Sequence, residues 1–391
     1  MRYENRTGLK NKGKVGVVTL PGSFNYGCEL QLFAVIHIYR ELGYSPEFLV
    51  FNRSLSKLHG VVERARGNHD AMPIELLQSP GRRAAFKRFE TMIHSVQIEK
   101  PQDINLNDYA LFSVGSDQVW NPNLIFTSNS GSWLKRACRF AIDPREIEDE
   151  RDWYFLGFAQ PEQRVALAPS FGISELDSFQ SKRIRKGLCN FSRLSVREES
   201  GAKIIESITG KKAEVICDPT LALPRGEWEE ISDSRITPDG PYVLAYLLGE
   251  DSDETKSALS CVSEDGQIPI IRLSDRAGIG ELDAGPAEFL SLVQHASHVV
   301  TDSFHASVFA SIFERPLTIT HRSGAIGTNQ SKMFARLQTL SVSLGIQNKV
   351  CILEAPYDAA AHADYEGVAD SIEQERNKFM EYLEGCLAPQ I

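Results

Sequence analysis

Short apolar, β-branched runs alternate with helical stretches along most of this 391-residue chain, and no other feature restricts the fold as much. Val15-Gly16-Val17-Val18-Thr19-Leu20 follows a polar lead and reads as a strand buried on both faces. A loop from Pro21 to Gly27 comes next. Leu30, Ala34, Ile38 and Leu42 then recur at fourfold spacing, with Gly43 placed to end a helix. Phe48-Leu49-Val50-Phe51 is the following strand. Strand, helix and strand in this order imply a right-handed crossover between parallel strands.

The pattern continues through Leu111-Phe112-Ser113-Val114, Val165-Ala166-Leu167-Ala168, Leu194-Ser195-Val196 and Val215-Ile216-Cys217. The stretch 223–241 holds three prolines among polar residues and reads as a linker. A second set of strands follows at Tyr242 to Leu248, Pro269 to Leu273, His298 to Thr301 and Leu317 to Thr320, and Tyr365 to Leu383 reads as an amphipathic helix. Between 54 and 105 the chain is polar, with a basic run at Arg82, Arg83, Lys87 and Arg88, and reads as a helical excursion. A chain of 391 residues exceeds one compact core. The expected fold is therefore α/β, with two Rossmann-like domains built on parallel sheets. Residues 14–223 form the first, 241–355 the second, and 360–391 a C-terminal helix packing back on the first. Such folds bind ligands at the carboxyl ends of their strands, so site residues should sit just after strands.

Composition bounds the function. Apolar residues at 42% and charged residues at 24% are those of a globular protein. A net charge of -10 disfavours general binding of nucleic acid. The polar N-terminus lacks a signal-peptide core, and no stretch reaches the roughly 18 apolar residues of a membrane span. A cytoplasmic location is expected, with peripheral membrane association left open. The seven cysteines are scattered with no CxxC spacing, and the nine histidines form no HxxxH or HExxH pair. Neither disulfides nor a metal site nor a cofactor is expected.

Four segments after strands carry candidate chemistry. Asn25-Tyr26-Gly27-Cys28-Glu29-Leu30-Gln31 opens a helix, where free backbone N–H groups favour an anion or a polar sugar; Asn25 as a simple helix cap is the alternative. Gly115-Ser116-Asp117-Gln118-Val119-Trp120-Asn121-Pro122 clusters the hydroxyl, carboxylate, amide and aromatic groups that suit sugar recognition; an Asx-rich turn is the alternative. In Ser195-Val196-Arg197-Glu198-Glu199, the Arg197 guanidinium matches phosphate or carboxylate geometry; an exposed ion pair with Glu198 or Glu199 is the alternative. In Val299-Val300-Thr301-Asp302-Ser303-Phe304-His305, Asp302 or Ser303 is a natural helix cap, and His305 falls in the first turn, placed to exchange protons beside an anion; a structural histidine is the alternative.

Taken in order, these segments resemble the polysaccharide pyruvyl transferase family, together with Ala168-Pro169-Ser170-Phe171-Gly172 and Asp218-Pro219-Thr220-Leu221. The resemblance runs from about Val15 to Val350. It implies a GT-B-like arrangement, phosphoenolpyruvate as donor, and a saccharide or glycan-lipid as acceptor. Relatives read Arg-Leu-His where this chain has Ser303, Phe304 and His305, so the donor histidine carries over and the arginine does not. Arg197 matches a second donor arginine, and Lys332 is placed to supply the missing charge, a surface lysine being the alternative. The resemblance thus implies His305 as the proton-transfer group and Arg197, Ser303, Phe304 and Lys332 on the donor. Asn25, Gln31, Ser116, Gln118 and Trp120 are expected on the acceptor, with Asp117 as an acceptor-side base or sugar ligand. A nucleotide-sugar glycosyltransferase and a non-catalytic saccharide-binding relative are the competing readings.

Overall fold

The computed structural model describes residues 11–22, 24–51, 78–122, 152–273, 282–323, 337, 339–346, 351–352 and 365–388 of the chain. The first half holds β1 (Lys14–Val18), α1 (Tyr26–Glu41), β2 (Ser45–Phe51), α2 (Pro80–Glu90), β3 (Ser95–Ile98), β4 (Tyr109–Val114) and β5 (Arg164–Ala166). These strands pair in parallel in the order β3-β2-β1-β4-β5. Then come α3 (Ser178–Leu188), β6 (Ser195–Val196), α4 (Glu199–Thr209), β7 (Glu214–Val215), α5 (Pro219–Ala222) and α6 (Arg225–Ile231). The second half holds β8 (Val243–Tyr246), α7 (Asp253–Val262), β9 (Ile270–Leu273), α8 (Pro286–His295), β10 (His298–Thr301), α9 (Phe304–Ile312), β11 (Leu317–Ile319) and β12 (Cys351–Ile352). Its strands pair in parallel in the order β12-β11-β10-β8-β9. The chain ends on α10 (Val368–Leu387).

Both sheets reverse direction of strand order once, between β1 and β4 in the first and between β8 and β10 in the second. Such a switch point opens a crevice at the carboxyl ends of the strands. The loops after β1, β4, β8 and β10 border these two switch points.

Helix α1 is the spine between the halves. Asn25 caps it by accepting from the Cys28 N–H. It is apolar on almost every face because both halves cover it: Leu30, Leu32, Phe33, Ala34, Val35, Ile36 and Tyr39 are all buried. Tyr26 stacks on Phe289 with ring centroids 4.7 Å apart, and its hydroxyl donates to the Ala284 carbonyl at 3.2 Å. At the other end of the chain, the Tyr382 hydroxyl of α10 donates to the Ala166 carbonyl at 2.8 Å, and Arg376 Nε donates to the Ala222 carbonyl at 3.1 Å.

Three details differ from the pattern reading. Within the stretch 54–105, read as a helical excursion, Ser95–Ile98 forms β3 at the edge of the first sheet. β6 and β7 form a separate two-stranded parallel sheet instead of extending the first one. The stretch expected as an open linker carries α6, whose Trp228 is fully buried, donates from Nε1 to the Thr220 carbonyl at 3.1 Å, and packs edge-on against Phe309 at 4.9 Å. The prolines do not break this helix, because Pro224 sits at its cap and Pro238 and Pro241 lie beyond its end.

Candidate active site

The loops after β1, β4 and β10 converge with the residues that follow β6 and β7. Asp218 lies at their centre, fully buried, as the cap of α5. Its Oδ1 accepts from the Thr220 N–H at 3.0 Å and the Thr220 hydroxyl at 2.7 Å. Its Oδ2 accepts from Arg197 Nη1 at 2.6 Å, and Ser116 Oγ lies 3.0 Å from the same oxygen. His305 Nε2 is 3.8 Å from that oxygen, an ion-pair distance and too long for a hydrogen bond.

His305 reaches this point because Gly27 has no side chain. A Cβ at Gly27 would lie 2.0 Å from His305 Nδ1. The first turn of α1 and the first turn of α9 thus meet directly, joining two of the segments singled out in the sequence. Within α9, Ser303 provides the cap by accepting from the Ala306 N–H. Asp302 does not cap: its two carboxylate oxygens accept from the Leu248 and Gly249 N–H groups, each at 2.8 Å, and Arg322 Nε donates to it at 3.2 Å. Asp302 therefore ties the loop after β8 to the end of β10, across the switch point.

Arg197 is a buried residue, with 3% of its side chain exposed, so the exposed ion pair with Glu198 or Glu199 does not form. Glu198 turns instead to the Ser170 hydroxyl at 2.8 Å and the Phe171 N–H at 3.0 Å. The Arg197 guanidinium lies 4.7 Å from the Phe304 ring centroid, a cation–π contact. Burial pushes the Arg197 pKa down, but Asp218, Asp117 and Glu198 together hold it above its ordinary value. For Asp218, burial pushes upward and is overcome by His305 and Arg197, leaving the carboxyl well below the usual carboxylate range. Three nitrogens here are buried with no hydrogen-bond partner among the described residues: Nε and Nη2 of Arg197, and Nε2 of His305. Buried polar groups left in this state ask for a functional explanation. A cavity of about 60 Å³ lined by Arg197, Asp218 and Phe304 adjoins the arginine. Among the described residues no group of three or more His, Cys, Asp or Glu could hold a metal, and no helix is long and apolar enough to cross a membrane.

The structure thus brings together Asp117, Ser116, Arg197, Phe304 and His305, with Asp117 accepting from Cys28 Sγ at 3.0 Å. It places the other expected ligand contacts elsewhere. Trp120 is 0% exposed, donates from Nε1 to the Tyr154 carbonyl at 2.9 Å, and packs among Phe155, Phe171 and Phe191, so its face does not reach a sugar. Gln31 is also fully buried, and its amide is spent on Thr19 Oγ1, the Cys28 carbonyl and the Ser116 N–H. Gln118 Oε1 accepts from Asn121 Nδ2 at 2.6 Å, inside its own turn. Asn25 and Ser303 are occupied as helix caps. Ser116 is buried and faces Asp218. Lys332 lies outside the described residues. Asp218 is the residue sequence reasoning missed: Asp218-Pro219-Thr220-Leu221 counted only as part of the resemblance, although a carboxylate directly after a strand was the available signal.

Trp120→Ala should therefore cost about 3–5 kcal/mol of stability, the range for deleting a buried Trp or Phe ring. Urea denaturation measures it. A loss within about 0.5 kcal/mol, typical of surface positions, would return Trp120 to an open binding face.

Comparison with known proteins gives the following. A family model described as polysaccharide pyruvyl transferase matches residues 25–319. No curated protein matches significantly. Among solved structures, a glycosyltransferase from Rickettsia africae ESF-5 is similar at 9% identity and TM-score 0.41, covering 97% of this chain and 96% of that one. A UDP-GlcNAc 2-epimerase from Neisseria meningitidis bound to UDP-GlcNAc is similar at 10% identity and TM-score 0.44, covering 95% and 94%. A putative UDP-N-acetylglucosamine 2-epimerase from Listeria monocytogenes is similar at 8% identity and TM-score 0.44, covering 94% and 90%.

Proposed function

The chain belongs to the polysaccharide pyruvyl transferase family, and on that premise we propose that it moves pyruvate from phosphoenolpyruvate onto a saccharide as a ketal. The observation that carries this reading is the set of buried, unpartnered nitrogens on Arg197 and His305 around the ionised Asp218. The reaction needs donors for a carboxylate and a phosphate, and a proton for C3 of the enol. Arg197 keeps Nε and Nη2 for the anion while Asp218 holds Nη1. His305 delivers the proton to C3, which makes C2 electrophilic. One acceptor hydroxyl adds to C2; a second then displaces phosphate. Of the two protons the hydroxyls lose, one balances that taken up at C3 and the other leaves with phosphate.

The acceptor is a saccharide or glycan-lipid on the cytoplasmic side of the membrane. The test is a thermal-shift screen with phosphoenolpyruvate beside UDP-sugars, followed by assay of phosphate release. Phosphoenolpyruvate should raise the melting temperature and be turned over with an acceptor. Stabilisation by a UDP-sugar alone, with nucleotide release, would make the protein a glycosyltransferase.

A further inference from the structure

A second cavity, of about 500 Å³, opens between the loop after β1, the first turn of α1, α2 and β3. Its size lies within the range of about 300–1,000 Å³ usual for small-ligand pockets. Glu29 lines it and is only 5% exposed. Its carboxyl makes no hydrogen bond or ion pair among the described residues. Gly22 makes room for it, since a Cβ there would lie 1.6 Å from Glu29 Oε1. The half-buried Phe24 supplies an aromatic wall, and Ser95 and Gln97 line the cavity from the exposed face of β3.

We propose that this cavity is a saccharide subsite, with Glu29 as the carboxyl that hydrogen-bonds a sugar hydroxyl and Phe24 as the surface a sugar ring packs on. The proposal rests on the pyruvyl transfer reading for its substrate class. It also adds a restriction. At about 100° per residue, Glu29 and Gly27 point to nearly opposite sides of α1, and Gly27 is the residue that touches His305. The unit bound here is therefore a sugar other than the one that reacts, and the acceptor is at least a disaccharide that passes around the tip of α1.

Glu29 also gives the subsite a pH signature. Burial first, and the charge of Glu90 second, push its carboxyl up to about 7. The charged groups that line the cavity with it are Arg83, Lys87 and Glu90 of α2. Below pH 7 the carboxyl is neutral, and above it is a carboxylate that accepts a stronger, charge-assisted bond from a hydroxyl. Saccharide binding should tighten as pH rises through 7.

Saturation-transfer NMR with a panel of gluco-, galacto- and manno-configured methyl glycosides and disaccharides tests this, with phosphoenolpyruvate binding measured in parallel. The wild type should bind at least one disaccharide. Glu29→Gln should lose about tenfold or more of that affinity above pH 7 and lose its pH dependence. Ser95→Trp should block binding while phosphoenolpyruvate still binds; Gln97→Trp, on the same face of β3, substitutes if that variant does not fold. Absence of saccharide binding to the wild type, or binding indifferent to Glu29→Gln and to the tryptophan variant, overturns the subsite. Failure of phosphoenolpyruvate to bind the wild type removes the pyruvyl reading and leaves the saccharide result standing.

Discussion

His305→Ala is expected to lower turnover of phosphoenolpyruvate about 10²–10⁴-fold, the usual contribution of a general acid or base. The fold should survive this change. His305 Nε2 has no hydrogen-bond partner among the described residues, and Asp218 keeps its bonds from Arg197 and Thr220 when the ring is removed, so truncation orphans no buried group; the ring packs against the backbone at Gly27, at the junction of the halves. The loss of stability should stay under about 2 kcal/mol, within the ordinary range for one substitution. Melting temperature and turnover on one preparation separate the two roles. A strongly destabilised variant with normal turnover per folded molecule would make His305 a packing residue and remove the proton donor from the proposed reaction.

Arg197→Met should destabilise the fold strongly. The arginine side chain is buried, and Asp218 has no exposed surface through which to regain water. Removing one partner of a buried ion pair costs about 3–5 kcal/mol, because the other charge stays behind. The pH dependence gives an independent check. The depressed pKa of Asp218 contributes stability that is full above the unfolded value of about 3.9 and is lost as pH falls toward the folded value. Without Arg197 part of that contribution is gone, while His305 and the Thr220 N–H still favour the ionised form, so the gap between variant and wild type should be widest near neutrality and narrow below about pH 4. Denaturant titrations at pH 7 and in mild acid measure both. A loss below about 1 kcal/mol at pH 7 would mean that Asp218 finds another partner, and would weaken Arg197 as a fixed donor for an anion.

These two residues also show how far the sequence could be read. The strand runs were legible because a parallel strand buried on both faces must be continuously apolar, and His298 to Thr301 was bounded as the structure has it. Strand β3 escaped notice: Ser95–Ile98 is an edge strand with two exposed residues and carries no apolar run. Helix α6 was hidden by the prolines that flank it.

The sequence by itself determined the parallel α/β plan and the places in the chain where a ligand would be met, because strand burial and loop position follow from local pattern. Tertiary structure alone decided which polar side chains in those loops keep hydrogen-bonding groups free. Trp120 and Gln31 carry the chemistry of sugar recognition, yet neighbours brought by the fold consume their hydrogen-bonding groups and faces. Asp218 has the chemistry of an ordinary turn, yet packing sets it against Arg197, Ser116 and His305, which lie 21, 102 and 87 positions away. Burial and partnership are properties of contacts between distant segments, and no local pattern encodes them.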